Sequence, residues 1–335
     1  MKYFTLFFTC LVLFSSTAGA WTLEDVRARD ILHCGVSADS PGFSRVDDSG
    51  KWIGLDVDIC RAVAAAVLGD AGKVQFVPLG ENGAMTALLS DRIDLFAGHG
   101  EPWNFTRDTA LPVDFTGISY YDEQGLAAGF KEDGVELGDL KNVTLCLAEG
   151  KHGQRVHTLL KRQRIPWRDV SFDTEEAAVE GFLDGRCNLI SQPFSQLQAL
   201  VLEREHGERA VILPDSLGRV AFGPVVRQGD DVWFDIVRWS FFAMIDAEAL
   251  GLSSKNAEQM MRSARPEIRR FFGLDGGGIK SGGLTAGWTA RIVRQVGNYG
   301  ESFERNLGEG SSLKMERGRN KLWKDGGLIY APPVE

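Results

Sequence analysis

The residues able to do chemistry fall into a few short clusters. Glu149, Lys151 and His152 lie within four positions and include groups that can give or take a proton. No pair among them has a spacing that compels a catalytic reading. GxSxG, HExxH and phosphate-loop patterns are all absent, so no cofactor is expected. Cys34, Cys60, Cys146 and Cys187 carry no CxxC spacing, which argues against a zinc ribbon or redox pair, and no metal site is expected. Trp103 offers a ring that would stack on a ligand or pack a hinge, and packing is commoner for a lone Trp.

The 335 residues are 44% hydrophobic and 25% charged, an ordinary globular composition. That composition excludes a collagen, a coiled coil and a disordered chain. The formal net charge of -9, without a basic block, makes nucleic acid a poor partner. Lys2, the apolar run 5–14 and Ala18-Gly19-Ala20 follow the order of a secretory signal peptide cleaved before Trp21. The apolar run is too short to span a bilayer, and no later stretch is long and uncharged enough to do so. Cys10 lies inside that run, too early for a lipid anchor. Four cysteines remain, and an even count in an exported chain favours disulfides, with three connectivities open.

Strand and helix patterns alternate. Residues 31–36 read as a strand and 56–68 as a helix with Ile59, Val63 and Val67 on one face. Residues 74–79 form a strand, 84–89 a short helix and 93–97 a strand. This order predicts a parallel sheet flanked by helices. It restarts with a strand at 143–147, a helix at 156–162 and a strand at 170–172. A helix at 174–184 opens with a capping-box-like TEEA start, and a strand follows at 187–190. The extended stretches 118–130 and 211–226 would link the two units. Residues 231–250 read as a helix, stopped by Gly251, that returns to the first. Two α/β lobes joined by two crossings leave a cleft, the usual place for a small ligand.

Several segments make the chain familiar. They are Cys34-Gly35-Val36 with Gly42-Phe43, GLDVDICRAVAAAVLGD (54–70), Arg107-Asp108-Thr109 with Tyr120-Tyr121-Asp122, and GPVVRQGDDVWFDIVRW (223–239). The most specific is GNYGESFERNLGEGSSLKMERGRNKLWKDGGLIYAPP (297–333). Together they resemble the periplasmic substrate-binding proteins of polar and general L-amino acid ABC transporters, the family 3 solute-binding proteins. The resemblance covers nearly the whole mature chain.

It implies an α/β, two-lobed periplasmic-binding-protein fold (venus-flytrap, type II) with a C-terminal extension. The expected division is a signal peptide at 1–20, lobe 1 at 21–122 plus 223–272, and lobe 2 at 123–222, with hinge crossings near 118–130 and 211–226. The extension at 273–335 carries too much apolar surface to dangle. The implied role is capture of a small carboxylate-bearing ligand by lobe closure, in the periplasm, for a membrane permease. A monomer is expected. The alternatives are a dehydratase-like enzyme on the same fold, or a soluble ligand sensor that has lost transport. The disulfides expected are Cys34–Cys60 and Cys146–Cys187, each within one lobe, because cross-lobe bridges would obstruct hinge motion.

The resemblance places Arg107 where the family holds the ligand carboxylate, a task suited to a guanidinium fork. Elsewhere the pocket departs from the pattern. Pro102 stands where a Thr or Ser is usual, Ala84-Met85 replaces an Arg-Phe pair, and Lys151-His152 replaces the Thr-Thr of a turn. Pro193 stands where the Asp for the ligand ammonium belongs. Gln192 beside it accepts a hydrogen bond but carries no charge. A buried ammonium without a carboxylate costs several kcal/mol. Either Glu101 or Glu149 replaces that acid, or the ligand is not an ordinary α-amino acid. Lys151, His152 and His99 add potential positive charge, which with Arg107 suits a ligand with more than one acidic group. Weak binding of neutral L-amino acids is therefore expected.

Overall fold

The structure is a computed structural model that describes residues 22–80, 83–129, 136–148, 153–203, 210–275 and 283–334. The proposed leader and Glu149, Lys151 and His152 lie outside these residues.

The first lobe is built on five strands in the order Val74–Leu79, Leu32–Ser37, Leu95–Phe96, Val225–Arg227 and Val113–Phe115. Its first three are parallel, with Cys34 opposite Phe76 on one side and Leu95 on the other. Val225–Arg227 runs antiparallel to both its neighbours. The three strands of the βαβαβ unit are parallel as expected, and the antiparallel strand is added by the returning chain. The chain returns from the second lobe pointing the other way and fills the gap between Leu95–Phe96 and Val113–Phe115.

Helix Leu55–Leu68 is Ala- and Val-rich and ends at Gly69, whose φ of 80° is a left-handed cap that favours glycine. It is buried almost all round. Helices Asp231–Ala249 and Trp288–Gln295 pack on it. The disulfide Cys34–Cys60, with Cα atoms 6.1 Å apart, fastens it to strand Leu32–Ser37.

The second lobe is built on strands in the order Ala210–Ile212, Tyr120–Gly129, Leu189–Pro193, Val143–Ala148 and Trp167–Phe172. Gly218–Phe222 also pairs with Tyr120–Gly129. Cys146 and Cys187 are joined, with Cα atoms 5.5 Å apart. Both crossings are therefore ordered strands, and they pair with each other where the lobes meet. The backbones approach closely there. A Cβ at Gly223 would lie 1.7 Å from the Gly117 carbonyl oxygen, and one at Gly98 would lie 2.1 Å from that of Gly223.

Residues 283–334 pack on the first lobe. Ile292, Tyr299, Phe303 and Leu307 are fully buried, each contributing about 1.5–3 kcal/mol by leaving water. Helix Tyr299–Asn306 starts with a capping box made by Asn298 and Glu301. Asp58 Oδ2 accepts hydrogen bonds from Ser302, Arg305 and Asn306 at 2.7, 2.6 and 2.8 Å. The segment also grips the crossing. Tyr299 donates to the Ser119 carbonyl at 2.9 Å, and the Asn320 amide pairs with both backbone groups of Tyr121 at 2.7 and 3.0 Å.

Candidate functional site

Two adjoining chambers lie between the lobes. One, of about 180 Å³, is lined by Pro102, Trp103 and Arg107 from the first lobe and by Arg155, Gln192 and Arg219 from the second. The other, of about 480 Å³, is lined by Asp39 and Glu101 on one side and Glu175, Glu176 and Glu180 on the other. Gly100, Glu175, Gln192 and Gln196 border both. Basic groups thus gather in the smaller space and acidic groups in the larger. The larger volume lies within the usual range for a small-molecule site.

Arg107 sits on the short helix Phe105–Ala110, whose N-cap Asn104 accepts from the Arg107 amide at 3.1 Å. Its guanidinium forms an ion pair with Glu101, which is only 6% exposed. Burial pushes the Arg107 pKa down, and the Glu175 carboxylate of the second lobe opposes that shift. The anchor therefore stands beside an acid of its own lobe and in the field of another. The ring of Trp103 lines the smaller chamber and stacks on Phe115, with centroids 5.0 Å apart. Gln192 is buried at the end of strand Leu189–Pro193, opposite Gly125. Pro193, opposite Gln124, lines the smaller chamber and brings neither charge nor donor to the cleft.

His99 corrects one expectation. It is 1% exposed and stacked on Phe43 at 3.5 Å. Burial pushes its pKa down to about 3, so it supplies no positive charge. Its ring links the lobes instead. Ser40 Oγ lies 2.9 Å from Nδ1, and Ser195 Oγ lies 3.3 Å from Nε2. The Ser195 hydroxyl donates to Asp122 Oδ2 at 2.6 Å. That direction leaves the Ser195 oxygen to accept from His99 Nε2–H, and it leaves Nδ1 to accept from Ser40. Burial raises the Asp122 pKa, against the Ser195 hydrogen bonds. Asp56 is raised further by complete burial, relieved only by the His99 amide at 3.0 Å.

Sequence reasoning missed Arg155, Arg219 and Glu175. A lone Arg at a helix start or on a strand reads as solvated surface, and no local pattern distinguishes these. Among the described residues no cluster of His, Cys, Asp or Glu suits a metal ion, and no helix is long and apolar enough to cross a membrane.

Comparison with known proteins gives this geometry a context. The chain is 39% identical over 328 residues to the general L-amino acid-binding periplasmic protein AapJ of Rhizobium johnstonii, covering 97% of this chain and 96% of that one. It is 39% identical over 324 residues to the glutamate/glutamine/aspartate/asparagine-binding protein BztA of Rhodobacter capsulatus, covering 96% and 95%. A solved ABC transporter periplasmic binding protein from Brucella ovis, with glutathione bound, is 39% identical. It superposes with a TM-score of 0.87 over 94% of this chain and 100% of that one. Residues 32–256 match the bacterial extracellular solute-binding proteins, family 3. With two sheets, two crossings and a charged cleft between them, the chain belongs to that family.

Proposed function

We propose that this protein is the solute-capturing component of an ABC importer, exported with cleavage of residues 1–20 and working in the periplasm as a monomer. Its ligand is an acidic compound bearing an amino-acid group, held in the cleft as the lobes close and presented to a membrane permease. It binds this ligand without turning it over.

The observation that carries this reading is the Arg107–Glu101 pair at the junction of the two chambers. Opposite charges side by side complement a zwitterion. The guanidinium takes the carboxylate and the carboxylate of Glu101, with Gln192 and Glu175 nearby, takes the ammonium. Glu101 thereby stands in for the acid that Pro193 lacks. The Brucella ovis protein holds glutathione, whose γ-glutamyl end is such a zwitterion and which carries a second carboxylate.

Calorimetry of the exported protein tests the reading with glutamate, aspartate, glutamine, asparagine, glutathione and neutral L-amino acids. The acidic ligands bind tightly and are recovered unchanged. At a hundred times its dissociation constant a ligand adds about 2.7 kcal/mol of stability. Tight binding of several neutral L-amino acids, or unchanged binding by Arg107→Gln, overturns the assignment.

A further inference from the structure

The two crossings meet as a short antiparallel ribbon, in which Tyr121 lies opposite Ala221 and Gln124 opposite Gly218. At the Tyr121–Ala221 pair the backbone groups turn outward, away from one another. The Ala221 carbonyl accepts from the Trp103 amide of the first lobe at 2.8 Å. On the other edge, the Asn320 side-chain amide accepts from the Tyr121 N–H and donates to the Tyr121 carbonyl. A side-chain amide offers an acceptor and a donor side by side, so it completes a strand edge as a neighbouring strand would. From Gln124 onward that edge is taken by Leu189–Pro193 of the second sheet. Asn320 is itself buried, and its backbone carbonyl accepts from Arg317 Nε and Nη2 at 3.2 and 2.9 Å. Arg317 in turn pairs with Glu248 on helix Asp231–Ala249 of the first lobe. Beside Asn320, Arg319 forms an ion pair with Glu123 at 2.6 Å.

The ribbon is therefore fastened to the first lobe on both edges at one level. Tyr121 and Ala221 move with that lobe, and Gln124 moves with the second sheet. Bending between the lobes falls on Asp122 and Glu123 in one strand and on Arg219 and Val220 in the other, and the Arg319–Glu123 pair straddles it. A hinge of so few residues has few dihedrals over which to spread a domain rotation. We propose that the C-terminal extension is a clamp on the hinge: Asn320 confines the bend to these residues and so limits how far the lobes open without ligand. Asn320 is a positioning residue that acts on the cleft through the ribbon. Because Ala221 also holds Trp103, the clamp steadies one wall of the smaller chamber. The proposal rests on the reading of capture by lobe closure.

The test measures the interlobe distance distribution of the full ligand-free protein. Maleimide spin labels are placed at Asp39→Cys and Glu180→Cys, exposed positions on opposite sides of the larger chamber. Cys34, Cys60, Cys146 and Cys187 are all in disulfides, so they leave the new thiols to the label. Asn320→Ala strips both partners from Tyr121, and the distribution broadens with its mean shifted to longer distance. Arg319→Gln, at an exposed position, strands no buried group and shifts the distribution the same way by less; it decides the matter if Asn320→Ala does not fold. Arg291→Gln separates a hinge role from general loosening. Arg291 holds the carbonyls of Ala65 and Ala66 at 3.0 and 3.1 Å and makes no contact with the crossings among its hydrogen bonds. Its loss lowers the unfolding midpoint but leaves the distribution as in wild type. A wild-type distribution in both Asn320→Ala and Arg319→Gln, or equal broadening in Arg291→Gln, overturns the clamp. The comparison needs no ligand, so that failure leaves the Arg107 reading standing.

Discussion

His99 Nε2 and Ser195 Oγ meet at 3.3 Å, and they come from opposite lobes. The histidine follows the third strand of the first sheet, and the serine opens helix Phe194–Glu203 behind the second. Their hydrogen bond continues to Asp122 on the strand that joins the two lobes. Each proton in the series has one place to go, so the contact forms only when the lobes are together.

Ser195→Ala removes that contact while leaving the His99 and Asp122 side chains buried and short of a partner. The expected result is a more open ligand-free protein and ligand affinity weakened roughly tenfold, the value of one such hydrogen bond plus its stranded partner. Small-angle scattering gives the first and calorimetry the second. An unchanged radius of gyration together with unchanged affinity refutes a closing role for this bond.

The pH dependence of stability has a definite sign at His99. Its folded pKa of about 3 lies below the ordinary value of 6.5. The unfolded chain therefore binds a proton that the folded chain refuses. The neutral histidine favours folding fully above about pH 6.5, and the advantage falls as pH drops toward 3, by up to about 1.4 kcal/mol per pH unit. Buried Asp56 and Asp122, whose pKa values are raised, act in the opposite sense and lose stability as pH rises. His99→Gln should flatten the acid limb of a urea-unfolding series between about pH 6.5 and 4. An acid limb of unchanged slope contradicts this.

Arg317 makes two contacts at once. It forms a two-pronged pair with Glu248 and lies over the rings of Tyr299 and Phe303, at 5.3 and 5.5 Å from their centroids. A flat, forked cation suits both contacts. Arg317→Gln should cost about 2 kcal/mol, and Arg317→Lys about half as much although the charge is kept. Thermal unfolding measures both, and equal stability of the lysine variant and wild type contradicts the account.

Each disulfide closes a loop inside one lobe, of sequence separation 26 and 41. Loop-closure entropy puts each at about 3.5–4 kcal/mol. Replacing either pair by alanines should lower the unfolding midpoint without changing ligand selectivity. Altered selectivity in the Cys34→Ala/Cys60→Ala protein would mean that the bridge shapes the cleft as well as the lobe.

What the sequence disclosed follows from the range of the forces involved. Helices Leu55–Leu68 and Asp231–Ala249 were legible because their apolar spacing and glycine stops are local signals. Thr174 was legible as a cap for the same reason, and its hydroxyl accepts from the Ala177 amide. Strand Tyr120–Gly129 read only as an extended link, because its three partners lie some sixty to one hundred positions later in the chain. Helix Phe194–Glu203 went unread, although Pro193 just before it is a start signal. In the cleft, Arg107 was singled out by its matching segment. Its ion pair with Glu101, and the placing of Arg155 beside Gly218, arise only when distant elements meet.

The place of Val225–Arg227 in the first sheet also sets an order of events during synthesis and export. Leu95–Phe96 and Val113–Phe115 each have an edge waiting for that strand, and it is made only after every strand of the second lobe. A chain emerging amino end first can therefore complete the second sheet before the first, although the first sheet begins earlier. Until the returning strand arrives, those two edges stand open and able to pair with another copy. A nascent chain halted near residue 222 would be the aggregation-prone species, and one halted past 227 would be relieved of that hazard.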